Sequence, residues 1–481
     1  MGGKHHLVEQ DLHIRYGDVV RTGPTTLSFA TLPAFEAIYG YNAGIERDII
    51  ATGASSVFSA PTREEHRRRR RALLNAAFAT GRITSYEPVI AKHAAELQHR
   101  LLEAIQGMSA SRAVNIATFI HRYTFDTTID VVFGPSISPV AYTDLPAAKN
   151  VLQDYRAASK WTWATLMLPS LRSVMSTAFM QRNTRRPKYD ANGLLIGVGA
   201  LVARSRQLVC QRPNDVQEQQ RASIARNLLI SDTEASETTK HLSDPAQVWG
   251  ECFNLTFAGP GSTAAALTAV LFQLGNPVGR KWQRRIRLEM QSEGAKYAGH
   301  GRDLKAVIKE TLRLHAPFPS GFPRKIMPGG GSVIPGLARP LPVGTIVYAN
   351  TWVVGRSKEL WGADAEDWKP ERWLADRDQA VTERIAHPQG DIDAHETDGT
   401  VNEGTRDDAP LESISTDLDR KFVAFSKGPR SCIGRDIALR MIERAVWAVL
   451  DRWEVVSFGE LTGSSWLDMQ YEECLLELWE R

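Results

Sequence analysis

Residues 425–434 read FSKGPRSCIG and carry the most informative pattern in the chain. A thiolate that ligates a metal must be deprotonated, shielded from water and approached by backbone amides that hydrogen-bond the sulfur. Gly428 and Gly434 lack a Cβ and therefore permit such an approach to Cys432. A helical pattern over residues 435–450 follows directly, and the positive end of a helix favours thiolate over thiol. The stretch therefore predicts a loop built around a metal-binding cysteine.

The spacing of this loop resembles the signature of the haem-thiolate cytochrome P-450 family, Phe-x-x-Gly-x-Arg-x-Cys-x-Gly. The matching residues are Phe425, Gly428, Arg430, Cys432 and Gly434. The resemblance implies that Cys432 is the axial ligand of the haem iron. It also implies that Arg430 places a cation near the haem edge and that Phe425 packs against the porphyrin. The alternative is a buried structural cysteine in a turn.

The resemblance also implies a fold. It is mainly α-helical with a minor β region, and it holds the haem between a long distal helix and the loop that carries the cysteine. Residues 19–29 predict two short strands, and residues 87–106 have the apolar spacing of an amphipathic helix that stops at Gly107. We expect residues 1–481 to form a single catalytic domain.

Composition and charge limit the class of protein. The chain has 481 residues, with 58 Lys and Arg against 55 Asp and Glu, and its formal net charge of +3 argues against nucleic-acid binding. Apolar residues make up 43 %, which allows a sizeable core. Four scattered cysteines indicate a reducing compartment rather than a disulfide scaffold. Residues 376–420 hold thirteen acidic and four basic side chains and predict a disordered surface insertion.

Two further motifs match the family in its order. Glu310 and Arg313 lie three residues apart in a helical segment, so their side chains share one face. Many solvated helices show such a pair. The Glu310–Arg313 pair becomes informative together with Pro370-Glu-Arg-Trp373, where Arg372 corresponds to the arginine that joins the pair in the family. A buried ionic triad is stable only if every member is satisfied, so we expect it to assemble the haem pocket rather than take part in the reaction.

Cations are also expected around the two haem propionates. His66 and Arg70 lie four residues apart in EEHRRRRRALLNAAF, which resembles the propionate-binding helix of the family. Arg324, after Pro323, resembles a second propionate ligand. The alternative for the arginine run is a solvated basic face or a localisation signal.

The distal helix of the family resembles residues 258–263, Ala-Gly-Pro-Gly-Ser-Thr. Glycines there leave room for dioxygen, while an acid and an alcohol relay protons. Gly261 stands where the family has Asp or Glu, and Ser262 replaces the first Thr, so either Ser262 or Thr263 is expected to hold the distal water. Pro260 cannot donate its amide and predicts a kink. Without the acid, proton delivery would use ordered water, the substrate's own hydroxyl or another side chain.

Two stretches of the sequence bear on membrane association. Residues 253–275 hold no charge and are long enough to span a bilayer, but Asn254, several hydroxyls and a Pro-Gly break favour a helix buried near a ligand. The N-terminus has no apolar stretch for a signal or anchor. Relatives of this type usually carry a membrane helix ahead of the segment that corresponds to Tyr16–Val19. The expectation is therefore either a truncated enzyme of the cytosolic face of the endoplasmic reticulum membrane or a cytoplasmic protein with peripheral membrane contact.

The resemblance implies a monooxygenase of the fungal, microsomal secondary-metabolism type. It would use haem b and dioxygen to oxidise a lipophilic small molecule, with electrons from NADPH through a separate cytochrome P-450 reductase. The chain has no Gly-rich dinucleotide fingerprint of its own. Two alternatives stay open. One is a redox-neutral isomerase, dehydratase or peroxide user, suggested by Gly261, and the other is a catalytically silent haem-binding protein.

Overall fold

The computed structural model describes most of the chain, and its ranges are residues 2–41, 45–47, 56–60, 62–107, 113–134, 141–167, 187–210, 223–231, 244–293, 301–328, 333–374 and 417–481. Within them the helices are α1 His5–Tyr16, α2 Leu32–Tyr39, α3 Arg63–Leu73, α4 Thr80–Ser85, α5 Glu87–Gln106, α6 Ile116–Phe133, α7 Val151–Met167, α8 Gly197–Cys210, α9 Ile224–Ser231, α10 Pro245–Gly275, α11 Arg280–Glu293, α12 Arg302–Leu314, α13 Thr351–Val354, α14 Lys358–Trp361, α15 Asp417–Lys421 and α16 Arg435–Arg452.

The strands are short and fall into small sheets. They are β1 Val19–Gly23, β2 Thr26–Phe29, β3 Ile45–Arg47, β4 Ala113–Asn115, β5 Lys188–Tyr189, β6 Leu195–Ile196, β7 Arg324–Ile326, β8 Ile346–Ala349, β9 Trp453–Ser457, β10 Ser464–Ser465, β11 Met469–Gln470 and β12 Leu475–Glu480. The largest sheet has the order β1-β2-β8-β7-β3, in which β2 and β8 are parallel. The predicted fold class, mainly helical with a minor β region, is confirmed.

Local sequence signals account for several element boundaries. The two strands expected within residues 19–29 are β1 and β2, and α5 ends at Gln106, before Gly107. At the start of α3 the Thr62 hydroxyl accepts a hydrogen bond from the Glu65 amide at 3.1 Å. The Glu65 carboxylate does not complete a capping box; it forms an ion pair with Arg69 at 2.8 Å instead.

Helix α10 forms the centre of the main core. Among the described residues it is the one helix long and apolar enough to cross a membrane, yet 67 % of its most apolar window is buried inside the protein. It packs against α6, α8 and α16. The interpretation of residues 253–275 as a buried helix therefore agrees with the structure. Pro260 lies inside this helix, which continues as an α-helix on both sides of it.

The predicted acidic insertion is described only at its end. Residues 376–416 lie outside the described residues, while residues 417–420 belong to α15. The described part of this helix carries an ion pair between Lys309 and Asp419, and another between Lys421 and Asp417. The first of these ion pairs joins α15 to α12, and the second lies within α15.

Candidate active site

The loop that carries Cys432 is held in one conformation by its own backbone and by α2. The Cys432 amide donates to the Phe425 carbonyl at 2.9 Å, which closes the loop. Gly428 has φ +69°, and a Cβ there would lie 2.2 Å from the Tyr39 carbonyl oxygen. The absence of a side chain at Gly428 therefore serves the approach of α2 rather than of the sulfur. At Gly434 a Cβ would meet no protein atom within 4 Å.

The Cys432 thiol is surrounded by protein but faces an open cavity, so its side chain is exposed there. Burial raises the pKa of the Cys432 thiol, whereas the Gly434 amide and the charges of Arg70 and Arg435 lower it. Iron binding would deprotonate such a thiol outright. Of the four cysteines, Cys432 is the one that lines this cavity, since Cys252 and Cys474 are buried in the core.

The cavity lies between α10 and the cysteine loop. Its empty volume is about 1400 Å³, part of which is open to solvent. The wall formed by α10 presents Ala258, Ser262 and Thr263, and the opposite wall presents Phe425 and Cys432. The residues expected on the two faces of a haem are thus brought together on two sides of one space.

Four basic side chains line the same cavity, and they are His66, Arg70, Arg324 and Arg430. Arg70 donates to the Ser431 carbonyl at 2.7 Å and to its hydroxyl at 3.2 Å, next to Cys432. His66 is buried, as is Arg69 of the same helix, so α3 is not simply a solvated basic face.

Arg324 is the most informative of these cations. It is 6 % exposed, and its guanidinium donates to the carbonyls of Phe322 and Pro323 and lies 4.7 Å from the centre of the Tyr39 ring. No carboxylate pairs with it among the described residues. Burial lowers the pKa of the Arg324 guanidinium. A buried cation without an anion is costly, and a haem propionate would remove that cost, so the residues present fit haem.

The positions of Ser262 and Thr263 allow either hydroxyl to hold the expected distal water. The Ser262 hydroxyl donates to the Ala258 carbonyl at 2.9 Å, and it also lies 3.3 Å from the Gly259 carbonyl. Thr263 is buried, and both residues line the cavity. Gly261 is not among the residues that line the cavity, and the side chains beside it are those of Asp468 and Tyr155.

The Glu310–Arg313 pair forms the expected buried triad with Arg372. Arg313 makes two bonds to Glu310, at 2.8 and 2.9 Å, and Arg372 lies 3.4 Å from the same carboxylate. The Trp373 indole donates to Glu310 at 3.0 Å. The ring centres of Trp373 and Phe422 lie 5.5 Å apart, and those of Phe422 and Phe425 lie 6.1 Å apart. This chain of contacts links the triad to the cysteine loop.

Comparison with known proteins identifies the family. A family model described as cytochrome P-450 matches residues 39–460. The chain belongs to the cytochrome P-450 family. The monooxygenase cicH of Emericella nidulans is 24 % identical over 94 % of this chain and 84 % of its own length. The monooxygenase AMT3 of Alternaria alternata is 26 % identical over 100 % and 88 %, and the tryprostatin B 6-hydroxylase of Aspergillus fumigatus is 25 % identical over 97 % and 73 %.

Membership of the cytochrome P-450 family determines the class of reaction. The matched relatives are fungal monooxygenases, which supports a monooxygenase over the redox-neutral and silent alternatives. The chain is therefore an oxidoreductase that uses molecular oxygen and haem b, with a reductase as its redox partner in the general arrangement of the family.

Sequence reasoning missed two buried contacts of this cytochrome P-450. Glu251 of α10 is fully buried, and it accepts bonds from the Val57 amide at 2.8 Å and from Arg69 at 3.0 Å. It thus ties α10 to α3, the helix with His66 and Arg70. Glu251 is the lone charged residue in the sequence of α10, and that isolation was the available signal. Asp468, the second contact, lies against Gly261 and has no motif around it.

Proposed function

We propose that this chain inserts one atom of dioxygen into an unactivated bond of a lipophilic small molecule, an intermediate of secondary metabolism, with Cys432 as the axial ligand. The carrying observation is that Cys432, alone among the cysteines, lines a cavity opposite the oxygen-side helix. The balanced reaction is R–H + O₂ + NADPH + H⁺ giving R–OH + H₂O + NADP⁺. Haem, when bound, would supply the activation of dioxygen, and Cys432 would hold its iron as an electron-donating thiolate.

Each remaining side chain of the proposed site has a role in binding or proton handling. His66, Arg70 and Arg324 would hold the propionates, and Arg430 would place its charge at the haem edge. Phe425 would pack against the porphyrin. The hydroxyls of Ser262 and Thr263 lie on the opposite wall and would hold a water on the oxygen side. Gly428 keeps the loop close to α2, as its backbone geometry requires.

Three aromatic rings that line the cavity support a lipophilic substrate. Phe58 contacts Phe322 edge to face at 5.9 Å, and Phe318 lies 5.1 Å from Phe322. All three line the cavity together with Leu255. Aromatic and aliphatic walls of this kind bind a ligand chiefly through burial of apolar surface.

Incubation with ¹⁸O-labelled dioxygen tests the proposed reaction. A substrate found by comparing metabolites of cells with and without the gene is supplied with the purified haem-loaded chain, NADPH and a cytochrome P-450 reductase. We expect one labelled oxygen atom in the product and none when NADPH is left out. A modified product that carries no label would contradict monooxygenation.

Peripheral contact with a membrane, at the cytosolic face of the endoplasmic reticulum, also belongs to this proposal. It is supported by exposed apolar side chains on two helices, Leu7, Ile14 and Tyr16 of α1 and Trp161 of α7. The reductase in the same incubation can be placed in phospholipid vesicles. Sedimented vesicles should then carry the chain with them, and its full recovery in the supernatant would contradict the contact.

Arg324→Leu is expected to weaken haem retention without destabilising the protein fold. Loss of a charged hydrogen-bond partner of the propionate should speed haem transfer to apomyoglobin roughly tenfold or more. The unfolding stability of the haem-free chain should not fall, because the variant removes a buried cation that has no carboxylate partner among the described residues. Lys325→Leu, in the same strand but exposed, is the matched control. Equal haem loss from both variants would contradict the role of Arg324.

A further inference from the structure

A carboxylate from the C-terminal hairpin fills the space beside Gly261. A Cβ at position 261 would lie 2.1 Å from Asp468 Oδ2 and 2.6 Å from the Tyr155 hydroxyl, so no side chain fits there while Asp468 is in place. We propose that Asp468 is the carboxylate that position 261 lacks, a positioning residue that holds a proton next to Gly261 for the water that Ser262 or Thr263 would hold. This inference rests on the proposed monooxygenase function.

The two carboxylate oxygens of Asp468 have different surroundings. Oδ1 accepts hydrogen bonds from the Ser159 hydroxyl at 2.5 Å and from the side-chain amide of Gln470 at 3.2 Å. Oδ2, the atom next to Gly261, is buried and has no hydrogen-bond partner among the described residues. Asp468 is 2 % exposed. Because a buried acceptor without a partner is costly, the geometry indicates that Oδ2 carries a proton or contacts a water.

The hairpin holds this carboxylate in a fixed place. Strands β10 and β11 pair through Ser465 and Met469, and the Trp466 amide donates to the Asp468 carbonyl at 3.1 Å. The Met469 amide donates to the carbonyl of Pro317 at 2.8 Å, and Pro317 lines the cavity. The position of Asp468 relative to α10 is therefore tied to the cavity wall itself.

Burial and the neighbouring groups act in opposite directions on the pKa of Asp468. Burial raises the pKa of the Asp468 carboxyl, while its bonds to Ser159 and Gln470 and the charge of Arg156 lower it. Tyr155 faces the same carboxylate from α7, its hydroxyl donates to the Phe257 carbonyl at 2.7 Å, and burial raises its pKa well above the usual value. From α6, His121 lies near Arg156, and burial lowers its pKa to about 4. The histidine therefore stays neutral at pH 7, and Arg156 is the cation that faces Asp468.

The proton balance of the reaction defines what Asp468 would do. Two protons per turnover end in the water product, one taken from solution and one released from NADPH in the reductase. Asp468 would release a proton from Oδ2 to water held near Ser262, the next residue after Gly261, and regain one from solvent water. Its own protonation is unchanged over a full cycle. The alternative is a structural role only, in which Ser159 and Gln470 use Asp468 to join α7 to the hairpin.

Asp468→Asn separates these two roles because asparagine keeps the shape and the hydrogen-bonding capacity. We expect the fraction of NADPH electrons recovered in product to fall about tenfold or more, with hydrogen peroxide in its place, and the solvent deuterium isotope effect on product formation to rise. The pH dependence of coupling should flatten, and an infrared band of the protonated carboxyl should disappear from the resting holoenzyme. Wild-type coupling and isotope effect in this variant would overturn the proposal. Asp126→Asn, at another buried carboxylate, is the control and should change none of these.

Moving the carboxylate back onto α10 tests the geometry through the Tm as well as through coupling. Gly261→Asp alone should lower the Tm, because its Cβ overlaps Asp468 Oδ2. The pair Gly261→Asp with Asp468→Gly should recover part of that loss and restore coupling, so the two changes are not additive. Additive Tm losses together with coupling as poor as in Asp468→Asn would overturn the inference. Absence of labelled product from the wild type would instead count against the proposed function itself.

Discussion

Cys432→Ala is expected to abolish the thiolate-type absorption maximum of the reduced carbon-monoxide complex and to lower oxygen insertion to background. The sulfur is the candidate axial ligand, and no other cysteine lines the cavity to replace it. The Cys432 side chain faces open space rather than the packed core, so its removal should leave the fold intact. The measurements are the reduced carbon-monoxide difference spectrum, the haem content, and the yield of ¹⁸O-labelled product.

The other three cysteines supply the controls for this variant. Cys210→Ser changes an exposed side chain and should be silent. Cys252→Ser and Cys474→Ser bury a hydroxyl in the core and should lower stability, but they should keep the thiolate spectrum. The ligand assignment is wrong if Cys432→Ala retains that spectrum, or if one of these serine variants loses it.

Local spacing predicted those features whose chemistry lies within a few residues. The cysteine loop needs a glycine, a cation and a sulfur at fixed separations, and Glu310 and Arg313 need one helical turn between them. Such patterns can be recognised in the sequence before any tertiary contact is known. The same holds for the helix that ends before Gly107 and for the strands around Gly23.

Contacts between distant parts of the chain were not predictable in this way. The carboxylate of Asp468 reaches Gly261 only because the hairpin of β10 and β11 packs beside α10. Likewise Glu251 meets Arg69 only once folding brings α3 and α10 together. A glycine at the place of an expected acid indicated that a group was missing, but not which element would supply another. Which element supplies the carboxylate depends on how the folded chain packs, and neither secondary-structure propensity nor hydrophobic periodicity reveals it.

The Glu310 carboxylate is the centre of the second large prediction. It accepts bonds from the Arg313 guanidinium, from the Lys369 amide at 2.9 Å and from the Trp373 indole, and it is fully buried. Glu310→Gln keeps the shape but leaves the charge of Arg313 without its anion, while Arg372 keeps its ion pair with Asp364 at 2.7 Å. Breaking a buried ion pair on one side costs about 3–5 kcal/mol, so we expect a loss of that size in the free energy of unfolding. Urea denaturation of the haem-loaded chain measures it.

An exposed pair in the same segment gives the matched control. Glu371 pairs with Lys281 while both side chains are about half exposed, so Glu371→Gln should cost less than about 1 kcal/mol. Replacing Glu310 and Arg313 together by leucine should not restore stability, because Arg313 also donates to the carbonyls of Gly355 at 2.5 Å and Ala365 at 2.6 Å, which would lose their donor. Equal losses for Glu310→Gln and Glu371→Gln would mean that the triad does not hold the segment of Trp373. If the large loss is found with reduced haem content, the contacts from Trp373 through Phe422 explain how a structural ion pair supports the cysteine loop.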